Sequence, residues 1–492
     1  FHCALGAVAA AIPLLLMLAP TARTDAPHVF AIKDARIVTG TGSVISKGTV
    51  VFRDGIITEV GETAAIPGDA RQIDGSGLTV YPGLIDAFTT LGLPATALAP
   101  QRPAPGGFNP EAIRIAATAT PERAEEVHGE PWLAAANEVK PEGAPIQEAR
   151  MAGITTVLSS PTRGILAGES AVVDLAGDSG ANMVVRAPVA LTVQFTTSRG
   201  FFNIYPNSLM GSISFIRQSF YDAIHYRDEL DRYARVKTGI PRPEYDHKSE
   251  ALLPALKGDL PVLFVAASDL DIRRALMIAA EFKLKPMIEG ATTGYRIADR
   301  LASEKVPVIL SVDYPKRPAT LPEDADESLE TLIARAEAPT CAGRLAKAGI
   351  AFAFSSGSLK PADFIANVRK AVDNGLTADD ALKALTVNAA GILGVADHLG
   401  TIEKGKVANL TVTKGDLFAK DSKVDKVFID GNEMDLTPPE APAGPGAGPG
   451  GPGGPGFGAG RPGGPGRPPA AERPDTEAHN LPPLDLKALD QA

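Results

Sequence analysis

Between residues 83 and 396 the chain alternates short apolar runs with amphipathic helical stretches, and this alternation limits the fold more than any other feature. ITTVLSS, LPVLFVAAS then DIRRALMIAAEF, KPMIEGA then YRIADRLASEK, VPVILSV, and IAFAFSS then ADFIANVRKAV follow in turn. Parallel strands need a crossover between them, and an outer helix is the usual one. Sustained over this length, the pattern predicts the α/β class and a (β/α)8 TIM-type barrel. Both flanks read as β, with alternating apolar residues and glycine turns: VFAIKDARIVTG, GTVVFRDGIITEVG and LTVYPGLID before, ANLTVTKGD and KVDKVFIDGNEM after. Neither flank can bury a core alone, so the N- and C-terminal segments are expected to form one small β-sandwich.

The resulting division is a signal peptide over 1–26, the N-terminal β-sandwich segment over 27–82, the barrel over 83–396, the C-terminal β-sandwich segment over 397–436, and a disordered tail over 437–492. The signal segment carries AVAAAIPLLLMLA followed by small and polar residues, the form of a secretory h-region and cleavage zone. An uncleaved anchor is the rival reading, but the run is short for a span of about 20 residues and contains Pro13. A secreted or periplasmic protein with no stable membrane insertion after signal removal is therefore expected. Cys3 falls in the signal, which leaves Cys341 as a small helix residue without a partner for a disulfide. Gly92 to Ala149, rich in Pro, Gly and Ala, is expected to be a long insertion over the C-terminal face of the barrel, where binding loops lie. The tail, with APAGPGAGPGGPGGPGFGAGRPGGPGRPP, cannot bury a core and lacks the strict period of collagen. Net charge is −10 and aromatics make up 5%, with no basic run, which argues against a nucleic-acid partner.

At YPGLIDAFTTLG the chain resembles the amidohydrolase superfamily, whose PGLID is followed by a His-x-His pair at the end of the first barrel strand. GITTVLSSPTRGILAGESAVVDLAG, LMGSISFIRQSFYDAIHYRDEL and ALKALTVNAAGILGVADHLGTIEKGKVANLTVTKGD resemble its secreted, imidazolonepropionase-related branch. The resemblance implies a barrel that holds zinc or another divalent metal. It also implies where the ligands should stand, and there this chain departs from the pattern. Phe88 and Thr90 occupy the His-x-His positions. Val265 and Ala267 stand where the fifth strand carries imidazoles, Gly290 where the sixth carries its histidine, and Gly357 where the eighth carries its acid. Phenylalanine offers no lone pair, and a threonine hydroxyl is a poor ligand for zinc-like metals.

A site rebuilt from other groups has little to draw on. His2, His28, His128, His225, His247, His398 and His479 form no short-spaced pair with a carboxylate on a strand end. Alternation turns Glu289 away from the mouth if position 290 faces in, and Asp86 is mainly structural in the family. Ser355, Ser356 and Ser358 at the eighth strand, and Ser159 and Ser160 at the second, have no evident base beside them, so they read as hydroxyls serving loop backbone. Gly164 and Gly168 suit either an anion cradle or their own turns. The expectation is a barrel without cofactor: a catalytically inactive pseudoenzyme that binds a small-molecule ligand or acts as an assembly subunit. As an assembly subunit it would be a homo-oligomer or a heteromer with an active paralogue. The alternative left open is a hydrolase of carbon–nitrogen (non-peptide) bonds such as cyclic amides.

Overall fold

A computed structural model of the chain describes residues 28–98, 127–197, 205–236, 238–318, 321–322, 324–357 and 359–438. The expected signal peptide, with His2 and Cys3, the centre of the insertion, Ser358, and nearly all of the tail with His479 lie outside the described residues. Strands are numbered along the chain. The two flanks pair with each other. β1 (Val29–Val38), β2 (Val44–Arg53), β3 (Ile56–Gly61), β4 (Arg71–Asp74) and β5 (Leu78–Pro82) join β16 (Leu410–Lys414), β17 (Lys423–Ile429) and β18 (Asn432–Glu433) in a single eight-stranded sheet. The seam is an antiparallel ladder between β5 and β16, from Leu78 opposite Lys414 to Pro82 opposite Leu410. Ladders thus join both flanks in one continuous sheet. Its alternating apolar residues converge on one core, where the Phe30, Phe52 and Phe428 rings lie 5.2–5.7 Å apart.

The central segment supplies two further sheets. One has the order β10 (Val184–Arg186), β9 (Ala171–Asp174), β7 (Ile154–Ser159), β6 (Leu84–Thr89). The other has the order β15 (Phe352–Ser355), β14 (Val308–Ser311), β13 (Pro286–Gly290), β12 (Val262–Ala266), β11 (Leu191–Gln194), β8 (Leu166–Glu169). The expected closed eight-stranded barrel is not formed. β7 gives its second edge to antiparallel β9, and β11 gives its own to antiparallel β8, so the parallel succession breaks between them. Among the described residues parallel pairing joins β6 to β7 and runs on from β11 to β15. No ladder joins β6 to β15, but the Ser356 N–H donates to Asp86 Oδ1 at 2.9 Å across the gap.

Alternation sorts the strand residues into two cores. Phe264, Ile288, Leu310 and Phe354 pack outward against helices, as do Ile272, Ala275 and Leu276 of α4 (Asp269–Phe282) from the other side. Leu263, Met287, Ile309 and Ala353 point inward and meet Ile85, Ala87, Phe88 and Leu158 in a separate inner cluster. Four other helices matter below: α1 (Ala144–Met151), α2 (Leu209–Arg235), α3 (His247–Lys257) and, after β15, α5 (Pro361–Asp373). The first belongs to the stretch expected as an insertion, yet it packs as the helix leading into β7, burying Ile146 and Ala149. Its hydrophobic spacing is obscured by the Pro- and Gly-rich residues around it. Cys341 is fully buried, its thiol pushed up to about 11 by burial, which agrees with a packing role.

Candidate functional site at the strand ends

The six positions singled out in the sequence are placed as follows. Phe88, at the end of β6, is buried in the inner cluster, and Val265 packs against that cluster from β12. Val265 and Ala267 also line a cavity of ≈ 650 Å³ at the ends of β11 and β12. Gly290 closes β13 at φ 96°, a conformation that suits glycine, and a Cβ there would stand 3.2 Å from Ala267 Cα. Thr90 opens the turn after β6, its carbonyl accepting from the Leu93 N–H. Gly357 follows β15, with Ser311 Oγ 3.2 Å from where its Cβ would be. The structure thus gathers Phe88, Val265, Ala267 and Gly290 in one neighbourhood and leaves Thr90 and Gly357 on the turns beyond.

Strand phase corrects one expectation. Met287 belongs to the inner cluster and Ile288 to the outer, so Glu289 falls on the inward phase and Gly290 on the outward one. Glu289 is 4% exposed, and its Oε1 accepts the Ser355 hydroxyl at 3.1 Å. Asp86, 1% exposed, accepts from the backbone N–H groups of Ser356 and of Phe88, at 2.9 and 3.3 Å, through the same oxygen, Oδ1. Its Oδ2 is buried without a hydrogen-bond partner among the described residues. Burial pushes Asp86 up to about 6, against the pull of Ser356 and Phe88. It pushes Glu289 up to about 7, against the pull of Ser355 and with the charge of Asp86 adding to the rise. An acid therefore does stand beside the eighth-strand serines. What hid it was register: a single-residue shift in strand phase exchanges the inside for the outside.

The other readings of individual residues divide more simply. Ser159 donates to the Leu91 carbonyl at 2.6 Å and Ser160 meets Thr192 Oγ1 at 2.6 Å, as hydroxyls serving their surroundings. At Gly164 (φ 79°) a Cβ would lie 2.3 Å from Gly129 N, so its glycine serves the close approach of 127–133. His128 stacks on Phe215, with ring centroids 4.4 Å apart, and its Nε2 lies 2.8 Å from the Tyr205 carbonyl oxygen. His225 faces Glu229 one helical turn on, His28 lies 4.0 Å from Asp54, and His247 packs against Tyr245. The His398 N–H donates to the Val395 carbonyl.

The family's divalent metal would have to be held by these donors. Asp86 and Glu289 are the buried carboxylates of the inner strand ends, and Oδ1 of Asp86 is occupied by two N–H groups. No histidine of the described residues joins them, and among those residues no three His, Cys, Asp or Glu side chains form a group that could hold a metal. The described residues at the strand ends therefore supply two carboxylates and no further ligand for such a metal.

The Amidohydrolase family matches residues 291–434, a span that begins just after Gly290 and includes Gly357. The crystal structure of an amidohydrolase from Thermotoga maritima MSB8 is similar to this one at a TM-score of 0.67 and 26% identity, covering 82% of this chain and 99% of that one. A prolidase complexed with N-methylphosphonate-L-proline is similar at 0.48 and 17% identity, over 82% of this chain and 99% of its own. Molinate hydrolase is similar at 0.48 and 17% identity, over 83% of this chain and 95% of its own. The fold is a mixed α/β one, like that of the Thermotoga amidohydrolase structure. The family match and the Thermotoga likeness support the amidohydrolase superfamily for the chain and, with it, a hydrolase-like function.

Proposed function

We propose that the chain is a metal-free amidohydrolase-like protein, a pseudoenzyme of the imidazolonepropionase-related branch that binds a small neutral polar molecule at its strand ends. The observation that carries this reading is the lining of the ≈ 650 Å³ cavity. Its one carboxylate, Asp271, is already engaged by the Ser268 hydroxyl at 2.7 Å and by Arg274 at 2.6 Å. Gln194 spends its amide nitrogen on the Thr162 and Gly164 carbonyls, which leaves its oxygen as an acceptor. Thr197 and Asn207 add polar groups, and Phe195, Leu209 and Val265 add apolar surface. Such a lining suits a neutral ligand with hydrogen-bonding edges and an apolar face. Apolar or small residues at the former ligand positions fill the strand ends without needing charged partners. Metal analysis of the purified full chain tests the proposal together with turnover assays on hydantoins, imidazolones and dipeptides. About one divalent ion per chain, or turnover of any of these, overturns it.

A second reading is favoured by one observation, the buried pair Asp86 and Glu289. In it the chain is a hydrolase of cyclic amides in which Glu289, poised near neutrality with Ser355 against it, exchanges protons with substrate. Turnover that disappears in Glu289→Gln while the fold persists would establish it. Export to a secreted or periplasmic location belongs to the same proposal and rests on the apolar N-terminal run. Fractionation of the native host that finds the chain in the cytoplasm overturns the export. Pairing with a second copy or an active paralogue rests on the retained fold, and recovery of monomer alone from the native host overturns it.

A further inference from the structure

On the outside of the fold, away from the strand ends, α1 and α5 diverge over a groove of ≈ 570 Å³ closed at one end by the β16–β17 connection. The floor is apolar: Met151 comes from α1, Ile365 from α5, and Leu417 and Val424 from the connection and β17. Ala152, Ala362 and Ala366 keep the walls low. Sequence dictates this directly, because Ala362, Ile365, Ala366 and Arg369 recur at helical spacing and share one face of α5. The groove is held open by a fixed contact. Arg369 Nε donates to the Phe418 carbonyl at 2.8 Å, which ties α5 to the connection and leaves the terminal nitrogens of the guanidinium for other acceptors.

Charge at the groove is one-sided. Arg369, Lys420 and Lys423 stand at the closed end, against the single carboxylate of Glu148 on the opposite wall. Neither Lys420 nor Lys423 forms an ion pair among the described residues, although the neighbouring Lys414 is 3.2 Å from Asp425. Long cationic side chains with no protein anion, set at the end of an apolar trough, match a ligand with a hydrocarbon body and an anionic head. A volume of this size lies within the range of about 300–1,000 Å³ of small-molecule sites.

We propose that this groove is a second binding site, for a medium-chain alkyl carboxylate. The hydrocarbon lies along Met151, Ile365, Leu417 and Val424, and the carboxylate reaches Arg369, Lys420 and Lys423. The site is independent of the strand-end cavity. Calorimetric titration of the full chain with sodium decanoate tests it, with decyltrimethylammonium as the matched cation. Decanoate is expected to bind at one site per chain, and the ammonium at least about ten-fold more weakly. Lys420→Gln/Lys423→Gln changes two exposed side chains that support no fold contact, and it should weaken decanoate about five-fold, by more at low salt. Ile365→Glu should abolish binding with circular dichroism unchanged, whereas Val265→Trp at the strand-end cavity should leave it intact. Absence of binding, equal affinity for the ammonium, an unchanged double-lysine variant, or loss in Val265→Trp overturns the proposal. So does co-sedimentation with phosphatidylglycerol vesicles that depends on the two lysines, since the patch would then read a membrane surface.

Discussion

Two pairs of acids, one partly and the other wholly buried, are served very differently among the described residues. Asp174, at the end of β9, accepts the Thr156 hydroxyl at 2.5 Å and the Asn409 amide at 3.0 Å. Its partner Asp430, in the turn after β17, has its N–H held by Asn409 Oδ1 at 2.8 Å. Burial lifts both above the usual carboxylate range, and the charge of Asp430 adds to the rise at Asp174. Asp86 and Glu289 are both buried, but Asp86 retains an oxygen without a partner among the described residues. The first pair is a finished joint between the terminal sheet and the strands of the other fold half. The second is a polar remnant inside an otherwise apolar cluster, with one acceptor left unserved among the described residues.

Breaking the finished joint should cost most. Asn409→Ala removes donors to Thr156 and Asp174 and the acceptor for the Asp430 N–H in one step. A loss of about 3 kcal/mol is expected from these buried hydrogen bonds, read as a lower urea midpoint. Asp174→Leu with Asp430→Leu, which deletes both acids, should recover some of it. If Asn409→Ala unfolds at the wild-type midpoint, the joint is no joint.

The remnant should respond with the opposite sign. A carboxyl whose folded value is raised stabilises the fold while it is protonated, and that stability is lost as pH rises from the unfolded value toward about 7. Glu289→Gln stays neutral throughout. It should therefore match the wild type near pH 4.5 and exceed it by about 2 kcal/mol at pH 8. Denaturation midpoints at the two pH values measure this, and a variant that is weaker at pH 8 would place Glu289 with the finished joint. A double-mutant cycle with Asp86→Asn should then give a coupling of about 1 kcal/mol at pH 8 and none at pH 4.5, because the repulsion needs both charges.

How much of this could be read from the sequence depends on the period of the signal. Runs such as LPVLFVAAS and VPVILSV are uniformly apolar, and they appear as β12 and β14 with helices between, because burial on both faces leaves that mark. The pairing of the flanks was also legible, through their alternating residues. Closure was not: β8 and β9 are four residues each, and nothing in LAGE or AVVD tells an antiparallel return from a parallel strand. Phe88 and Val265 were visible as apolar residue types at strand ends. The meeting of Glu289, Ser355 and Asp86 was not, since it depends on strand phase and joins residues 66 apart. Asn409 and Asp174 carried no signal, because they lie 235 residues apart and no motif links them.

The smallest expected effect sharpens the contrast between the two pairs at a single hydroxyl. Ser355 donates to Glu289 and so holds the carboxyl lower than burial alone would. Ser355→Ala removes that donor from a site that has no other described donor to Glu289. At pH 8 the ionised acid loses its hydrogen bond, for a cost of about 1 kcal/mol. At pH 4.5 the acid is neutral in both proteins, and the cost should fall toward a few tenths. The decline should begin at the same pH but run on to a higher one, because a carboxylate without its donor holds its proton longer in the folded state. The equivalent change at the finished joint, Thr156→Ala, should leave Asn409 still donating to Asp174 and shift the decline less. Equal shifts in the two variants would mean that both pairs are served alike, and the distinction between joint and remnant would be lost.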